Sequence, residues 1–295
     1  MRSKAIANVG ISRLHGLSLS PSLLLAPALA YYVLILFLPQ IEVIAASLTD
    51  GEGHYPALEN YQRFVTDPFF LGILWRTVRL SVISTVVAII VSYPVAVYLS
   101  QSWRRGRAVV AFAVITPIMI SAVARSYGWV IIMGPAGLLD QAIVGLHLGI
   151  ESYHLLYTEV GLVIALTHLH LPFMVLPITA ALQQIDPAIL RASRILGAGT
   201  LRTFIRVTLP LTLPGITAGA TIVFCLTCSS FVTPSLIGGA RIPMMSFLIY
   251  QQALDVRDWN FAAAVAILLL LTTSIFVLAH LIWSNRRQQR AAAIP

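Results

Sequence analysis

Cys225-Leu-Thr-Cys228 has the spacing of a redox pair or of half a metal site. Both uses need solvent access, and a structural metal needs more ligands. This pair lies inside an apolar run and the chain has no other cysteine, so the two read as small buried hydrophobes. His168 and His170 look like metal ligands only until they are put on a helix. Residues two apart project about 200° from one another, so both cannot reach one ion from the same helix surface. Polar lining or hydrogen bonding between helices is the chemistry left to them. Asp140, Glu151 and Glu159 are loop acids of no fixed spacing and read as a solvated face. No Ser-His-Asp set can be assembled from the sequence without assuming tertiary proximity, and no metal site is expected. There is no GxxxxGK[ST] phosphate loop, and the sole lysine is Lys4. If ATP drives this protein, another chain hydrolyses it.

Two polar features remain, both inside apolar runs. Arg125, in Ala-Arg-Ser-Tyr-Gly-Trp129, carries a charge where charge is costly unless paired or wet. It stands 17 residues into its run, roughly 25 Å along a continuous helix. Glu42 is expected at comparable depth and is its candidate partner. An Arg125–Glu42 ion pair, the lining of a polar path, and snorkelling toward the surface are all open readings. The second feature is Thr227-Cys-Ser-Ser-Phe-Val-Thr233, too rich in hydroxyls for a lipid-facing surface. Its Ser229, Ser230 and Thr233, with Glu42, Arg125 and Tyr127, are the candidates for a solute path. Packing between helices is the other use for such hydroxyls, and Tyr127 and Trp129 also suit a membrane interface.

The elements that position these residues follow from composition. The chain is 58% hydrophobic and 10% charged, with mean hydropathy +0.86, against roughly 25% charged residues in soluble domains. Six segments, about 22–47, 77–101, 108–133, 160–184, 211–235 and 260–283, are long and apolar enough to span a bilayer. The net charge of +8 is a matter of sidedness, not of nucleic-acid binding. Arg2, Lys4, Arg13, Arg104, Arg105, Arg107, Arg191, Arg194, Arg202, Arg206, Arg286, Arg287 and Arg290 fall on one side with a single acid, Asp186. The other side holds Asp50, Glu52, Glu59, Asp67, Asp140, Glu151, Glu159, Asp255 and Asp258 against Arg63, Arg76, Arg79, Arg241 and Arg257. Both termini are therefore expected in the cytoplasm. Segment 22–47 is too long for a signal h-region and reads as a retained anchor. Residues 5–20 suit a short amphipathic piece on the inner surface. The expected organisation is a cytoplasmic segment at 1–21, a six-helix domain at 22–285 and a cytoplasmic tail at 286–295.

Prolines 94, 117, 172, 177 and 214 predict kinks, and Gly215-x3-Gly219 predicts close helix contact. The run Met244–Tyr250 is too short to span. It suits a short helix across the outer mouth or a buried packing segment.

The most structured polar stretch is the loop at 185–210. Asp186 can cap a helix that begins at Pro187, where the missing N–H costs nothing. Gly197 can end it in a left-handed conformation. Thr200 can cap a second helix, with Pro210 as its end or as a kink into the next span. The spacing Ala192-x4-Gly197-x9-Val207-x-Leu209-Pro210 resembles the cytoplasmic loop of permease subunits of binding-protein-dependent ABC importers. That loop reads Glu-Ala-Ala, three residues, Gly, nine residues, Ile-x-Leu-Pro. Leu58-Glu-Asn-Tyr-Gln-Arg-Phe64, Asp67-Pro-Phe-Phe70, Arg125-Ser-Tyr-Gly-Trp129, Leu171-Pro-Phe-Met-Val-Leu-Pro177 and Phe231-Val-Thr-Pro-Ser-Leu-Ile-Gly-Gly-Ala240 extend the likeness over nearly the whole chain. Together they resemble the first permease subunit of spermidine/putrescine-type ABC importers.

The resemblance implies an all-α membrane protein of six transmembrane helices, with the type I ABC importer permease fold, in a bacterial inner membrane. It also implies a second permease subunit, two cytoplasmic ATPase subunits that bind ATP and Mg, a periplasmic binding protein, surrounding lipid, and no cofactor on this chain. By it, Asp186, Pro187, Arg191, Ala192, Ser193, Gly197, Val207, Leu209 and Pro210 couple the permease to the ATPase. Ala192 and Ser193 are small enough for close docking. Arg191 stands where the family has its leading Glu, and Ser193 where it has its second Ala, which changes the charge offered to the ATPase. An ion-coupled carrier or a channel is the competing class. Such proteins usually hold acids or broken helices at the midplane, and the loop would then have no task.

Overall fold

The computed structural model describes residues 21–49, 55, 58–101, 105–135, 137–139, 141 and 155–292. The expected surface piece at 5–20 with Arg2, Lys4 and Arg13, and also Asp50, Glu52, Arg104, Asp140, Glu151 and residues 293–295, lie outside the described residues. For Arg286, Arg287 and Arg290 only the helical backbone is described.

Among the described residues the chain is helical. α1 (Pro21–Ser47) is followed by the short α2 (Glu59–Thr66) and by α3 (Pro68–Ser100). α4 (Arg107–Met119) and α5 (Ala122–Met133) come next, then α6 (Glu159–Gln183), α7 (Pro187–Ile195) and α8 (Thr200–Ser229). The short α9 (Met245–Tyr250) and the long α10 (Trp259–Ala292) complete the order. Among the described residues five helices are long and apolar enough to cross a membrane, and a sixth crossing requires α4 and α5 to count as one span.

α3, α6 and α8 form the centre. α3 turns small residues inward: Ser81, Ser84, Ala88 and Ala96 have no exposed surface, which lets α6 and α8 approach closely. Gly215 and Gly219 do the same for α8. A Cβ on Gly215 would sit 2.5 Å from the Pro177 carbonyl oxygen of α6, and one on Gly219 would sit 2.8 Å from Met174 Sδ. Met174, Ile178 and Val223 fill the seam. α1 lies outside this core against α10, with Leu29, Tyr31, Leu34 and Leu38 exposed.

The second span begins earlier than hydropathy suggests. Asp67 accepts from the Phe69 amide at 2.8 Å and Pro68 opens the helix, so Arg76 and Arg79 ride on α3 itself. The third span is not one rod. α4 and α5 meet at 105° across Ile120 and Ser121, both extended. Pro117 removes a helix donor, and the helix ends two residues later. The depth of roughly 25 Å expected for Arg125 assumed a straight helix, so it does not apply; Arg125 stands one turn into the second half. Met244–Tyr250 is a packing segment. Met244, Met245 and Leu248 are buried, and the Met245 amide donates to Thr77 Oγ1 at 2.9 Å.

Candidate functional site

The loop between α6 and α8 is built from local signals. Asp186 Oδ1 accepts from the Ala188 amide at 2.7 Å, and Pro187 occupies the first helical position. At the other end Gly197 has φ +78°. Ala198 N–H donates to the Ser193 carbonyl and Gly197 N–H to the Arg194 carbonyl, each at 3.0 Å, the paired bonds of a Schellman stop. Gly199, not Thr200, takes the cap position of α8, and Thr203 N–H donates to its carbonyl at 2.9 Å. Thr200 is the first helical residue.

Pro210 does not end the second helix. α8 runs through it, with a wider π turn at Phe204–Thr208 in which Leu209 N–H donates to the Phe204 carbonyl five residues back. Such turns absorb an interrupted hydrogen-bond ladder and recur at functional sites.

Exposure divides the loop. Arg191, Ala192, Arg194, Arg202 and Arg206 face outward, and Ile195 and Leu196 are each 85% exposed just before the glycine. Ser193 turns the other way: it is 9% exposed and its hydroxyl meets Thr203 Oγ1 at 3.2 Å. The small residue expected at a docking surface is used instead to hold α7 to α8. Val207 and Leu209 are half-buried, and Leu209 packs on the α3–α6–α8 core. Tyr93 of α3 reaches the same region, edge-on to Phe204 at 5.3 Å with its hydroxyl 3.1 Å from Thr212 Oγ1. A cleft of about 500 Å³ separates α7 from the ends of α3 and α6, lined in part by Val97, Gln101, Leu182, Leu190 and Arg194.

The proposed path residues are not all brought together. Arg125 Nη1 donates to the Leu169 carbonyl of α6 at 3.5 Å, and its Nε is buried without a partner. Glu42 is exposed on α1, which packs on α10, and makes no ion pair with Arg125. The expected pair does not form because α1 packs on α10, whereas α5 packs on α6. Thr233 is buried, its hydroxyl 2.9 Å from Ser126 Oγ. Ser229 is exposed and donates to the Cys225 carbonyl at 2.9 Å; Ser230 is half-buried and Tyr127 is 53% exposed.

The histidines work separately, as their spacing requires. His168 Nδ1 accepts from Trp129 Nε1 at 3.2 Å, and His170 Nδ1 lies 3.2 Å from Thr227 Oγ1. Among the described residues no group of acids, histidines and cysteines could hold a metal, and both cysteines are free thiols, Cys228 fully buried.

The opposite end of the bundle was under-read in the sequence. Glu159 is not a solvated loop acid: it opens α6, makes a short hydrogen bond to Arg79 and lies 3.9 Å from Arg76. Asp258 pairs with Arg63 at 2.9 Å, and that guanidinium lies 4.2 Å from the Phe261 ring centroid.

A capped, exposed helix between two spans of an all-helical bundle is what the loop spacing called for, and comparison with known proteins agrees. Residues 17–288 match the family described as binding-protein-dependent transport system inner membrane component. The chain belongs to that family. It is a multi-span permease subunit of an ABC importer, the non-catalytic membrane component, located in the inner membrane. It is 32% identical over 257 residues to the spermidine/putrescine transport system permease protein PotB of Haemophilus influenzae, covering 85% of this chain and 88% of the relative. Its identity to PotB of Escherichia coli is 31% over 255 residues, covering 85% and 92%. In fold it is similar to a crystal structure of a bacterial ABC transporter involved in the import of the acidic polysaccharide alginate. That match has a TM-score of 0.76 at 19% identity and covers 89% of this chain and 94% of the other.

Proposed function

We propose that this permease is one of two, in a heterodimer that carries a polyamine, spermidine or putrescine, from a periplasmic binding protein to the cytoplasm. The loop end of the bundle is cytoplasmic in this reading, as are both chain termini, and α7 docks on one of two ATPase subunits that bind ATP and Mg. The observation that carries the coupling role is the pose of α7. It is fixed by an Asp186 cap and a Gly197 stop, tied to α8 by Ser193 and Thr203, and presents Ile195, Leu196, Arg191 and Arg194 outward, beside the exposed Arg202 and Arg206 of α8. Asp186, Pro187, Ser193 and Gly197 shape the docking helix, while Arg191 and Ala192 meet the ATPase. Val207, Leu209 and Pro210 carry its motion into α8, where the π turn supplies a pliable joint.

The solute class rests on the two PotB relatives, each matched over 85% of this chain. For the path, Tyr127 and Ser229 have the exposure that contact with a polycation needs, and tyrosine faces attract ammonium groups. Ser230 lines it by its backbone, Thr233 supports the wall through Ser126, and Arg125 stands beside it. Glu42, exposed on α1 against α10, stands apart from these residues and is left out of the path.

The test is uptake of labelled spermidine and putrescine into proteoliposomes holding the complete transporter, with its binding protein outside and ATP inside. ATP-dependent uptake of either is the expected result. A transporter that hydrolyses ATP in response to its loaded binding protein, yet moves neither amine, would leave the coupling role standing and remove the polyamine.

A further inference from the structure

Arg125 carries a charge within a membrane span that no described residue of this chain answers. Its Nε is buried without a hydrogen-bond partner, and the 3.5 Å contact to Leu169 is longer than a good N–H···O bond. Its polar neighbours are engaged with one another: Ser126 with Thr233, and Trp129 with His168. Among the described residues no acid forms an ion pair with Arg125: Glu159 is held by Arg76 and Arg79, Asp258 by Arg63, and Glu42 sits on α1, which packs on α10. An intramembrane guanidinium persists where it is paired or wet. Arg125 and Trp129, four residues apart, share one side of α5, and Trp129 reaches the exposed His168 of α6, so this polar strip suits a protein wall or a watery path better than lipid.

We propose that the face carrying Arg125 packs against the second permease subunit, and that a carboxylate within a span of that subunit is the counter-ion of Arg125. The inference rests on the reading of this chain as one of a pair. Charge complementarity selects the occupant, because this wall offers positive charge alone, while a path for a polycation needs acids on its other wall. The carboxylate that answers Arg125 is also one that an ammonium group would seek. Arg125 therefore holds that anion while the path is empty, and the polyamine competes for it on arrival.

The first check is the sequence of the second subunit: spans free of Asp and Glu overturn the proposal at once. The second uses the complete transporter purified in detergent. Arg125→Gln is expected to lower the yield of paired permeases by about tenfold or more, as truncating one member of a buried charge pair does. Arg125→Lys should recover most of that yield. Neutralising one span acid of the second subunit should suppress the Arg125→Gln defect, as a double-mutant cycle requires of groups in contact. Normal pairing of Arg125→Gln, or a defect that no partner neutralisation suppresses, overturns the inference. So does normal pairing with selective loss of uptake of an amine that also bears a carboxylate or phosphonate, since the anion would then be the solute's. Pairing yield is read without solute, so this failure is distinct from wild-type vesicles that take up no spermidine or putrescine.

Discussion

At the loop end, Arg191, Arg194, Arg202 and Arg206 stand in solvent around exposed Ile195 and Leu196, and among the described residues none of them has an ion-pair partner. At the opposite end, Arg63, Arg76 and Arg79 are all engaged, by Asp258 and Glu159, and Arg63 also lies over Phe261. The same residue type thus serves two purposes. Where the chain supplies both signs, arginines staple α2 to α10 and α3 to α6. Where arginines outnumber the single acid, Asp186, which is used as a cap, charge and apolar surface are left for another molecule, and the local fold is held by caps and hydroxyl contacts instead. Exposed ion pairs each contribute little, about 0–1 kcal/mol, so the stapled end gains mainly orientation.

The sharpest way to break this contrast is at Gly197. Gly197→Val forces a β-branched residue to φ +78°, although a Cβ there meets nothing within 4 Å, so the penalty of about 1–2 kcal/mol is one of backbone alone. We expect the variant to insert and pair but to lose most of its ATP-coupled uptake in proteoliposomes. Gly197→Asn, which tolerates the left-handed region, should retain most of it. Wild-type uptake by the valine variant would show that the pose of α7 does not matter.

Next is the sign of the loop end. Arg191→Glu restores the residue type of the family pattern, yet three exposed arginines remain around it. If the ATPase surface is adapted to positive charge, pull-down of the ATPase weakens severalfold, and more so at low salt, because exposed charges are screened within about 10 Å at 0.1 M. Unchanged capture would make Arg191 a solvated residue.

A smaller effect is expected at the stapled end. Asp258→Ala removes both the ion pair to Arg63 and the acceptor of the Phe261 amide at 3.0 Å. Loss of the cap should cost about 1–2 kcal/mol, seen as a lower thermal midpoint in detergent. Asp258→Asn keeps an acceptor and should shift it less. Uptake per folded transporter should stay near wild type, which separates this end from the loop end.

The smallest is Ser193→Ala. It deletes the hydroxyl contact with Thr203, worth about 0.5–1.5 kcal/mol, along with a local bond to the Leu190 carbonyl, and should loosen α7 without releasing it. Limited proteolysis in the 185–210 loop would then be faster, with uptake modestly reduced. Protection equal to wild type would show that the Asp186 cap and the Schellman stop suffice to hold α7.

Much of the loop was legible because its signals are local. Asp186-Pro187 and Gly197 act through the nearest few peptide groups, and each does what its residue type predicts. The separate roles of His168 and His170 followed from helix geometry alone. The inward turn of Ser193 was not legible, since which face of a short helix turns inward depends on Thr203 across the turn. Thr200 was misplaced by one residue because Gly199 could take the cap position without a side chain. Hydropathy could not show the bend at Ile120–Ser121: both halves are equally apolar, and Pro117 is compatible with a kink as well as with a break.

By itself, the sequence determined that this protein is a helical membrane protein with one structured basic loop, because length, hydropathy, charge bias and capping are properties of short stretches read in order. The permease reading came from the resemblance of that loop's residue spacing to ABC importer permeases. Tertiary structure decided the pairings. It separated Glu42 from Arg125, joined Glu159 to Arg76 and Arg79, and gave Ser126 to Thr233 and Trp129 to His168. Those outcomes depend on which helix faces lie together, and in this chain that follows from the close approach of α3, α6 and α8 at their glycines and serines, a contact energy spread over three distant segments.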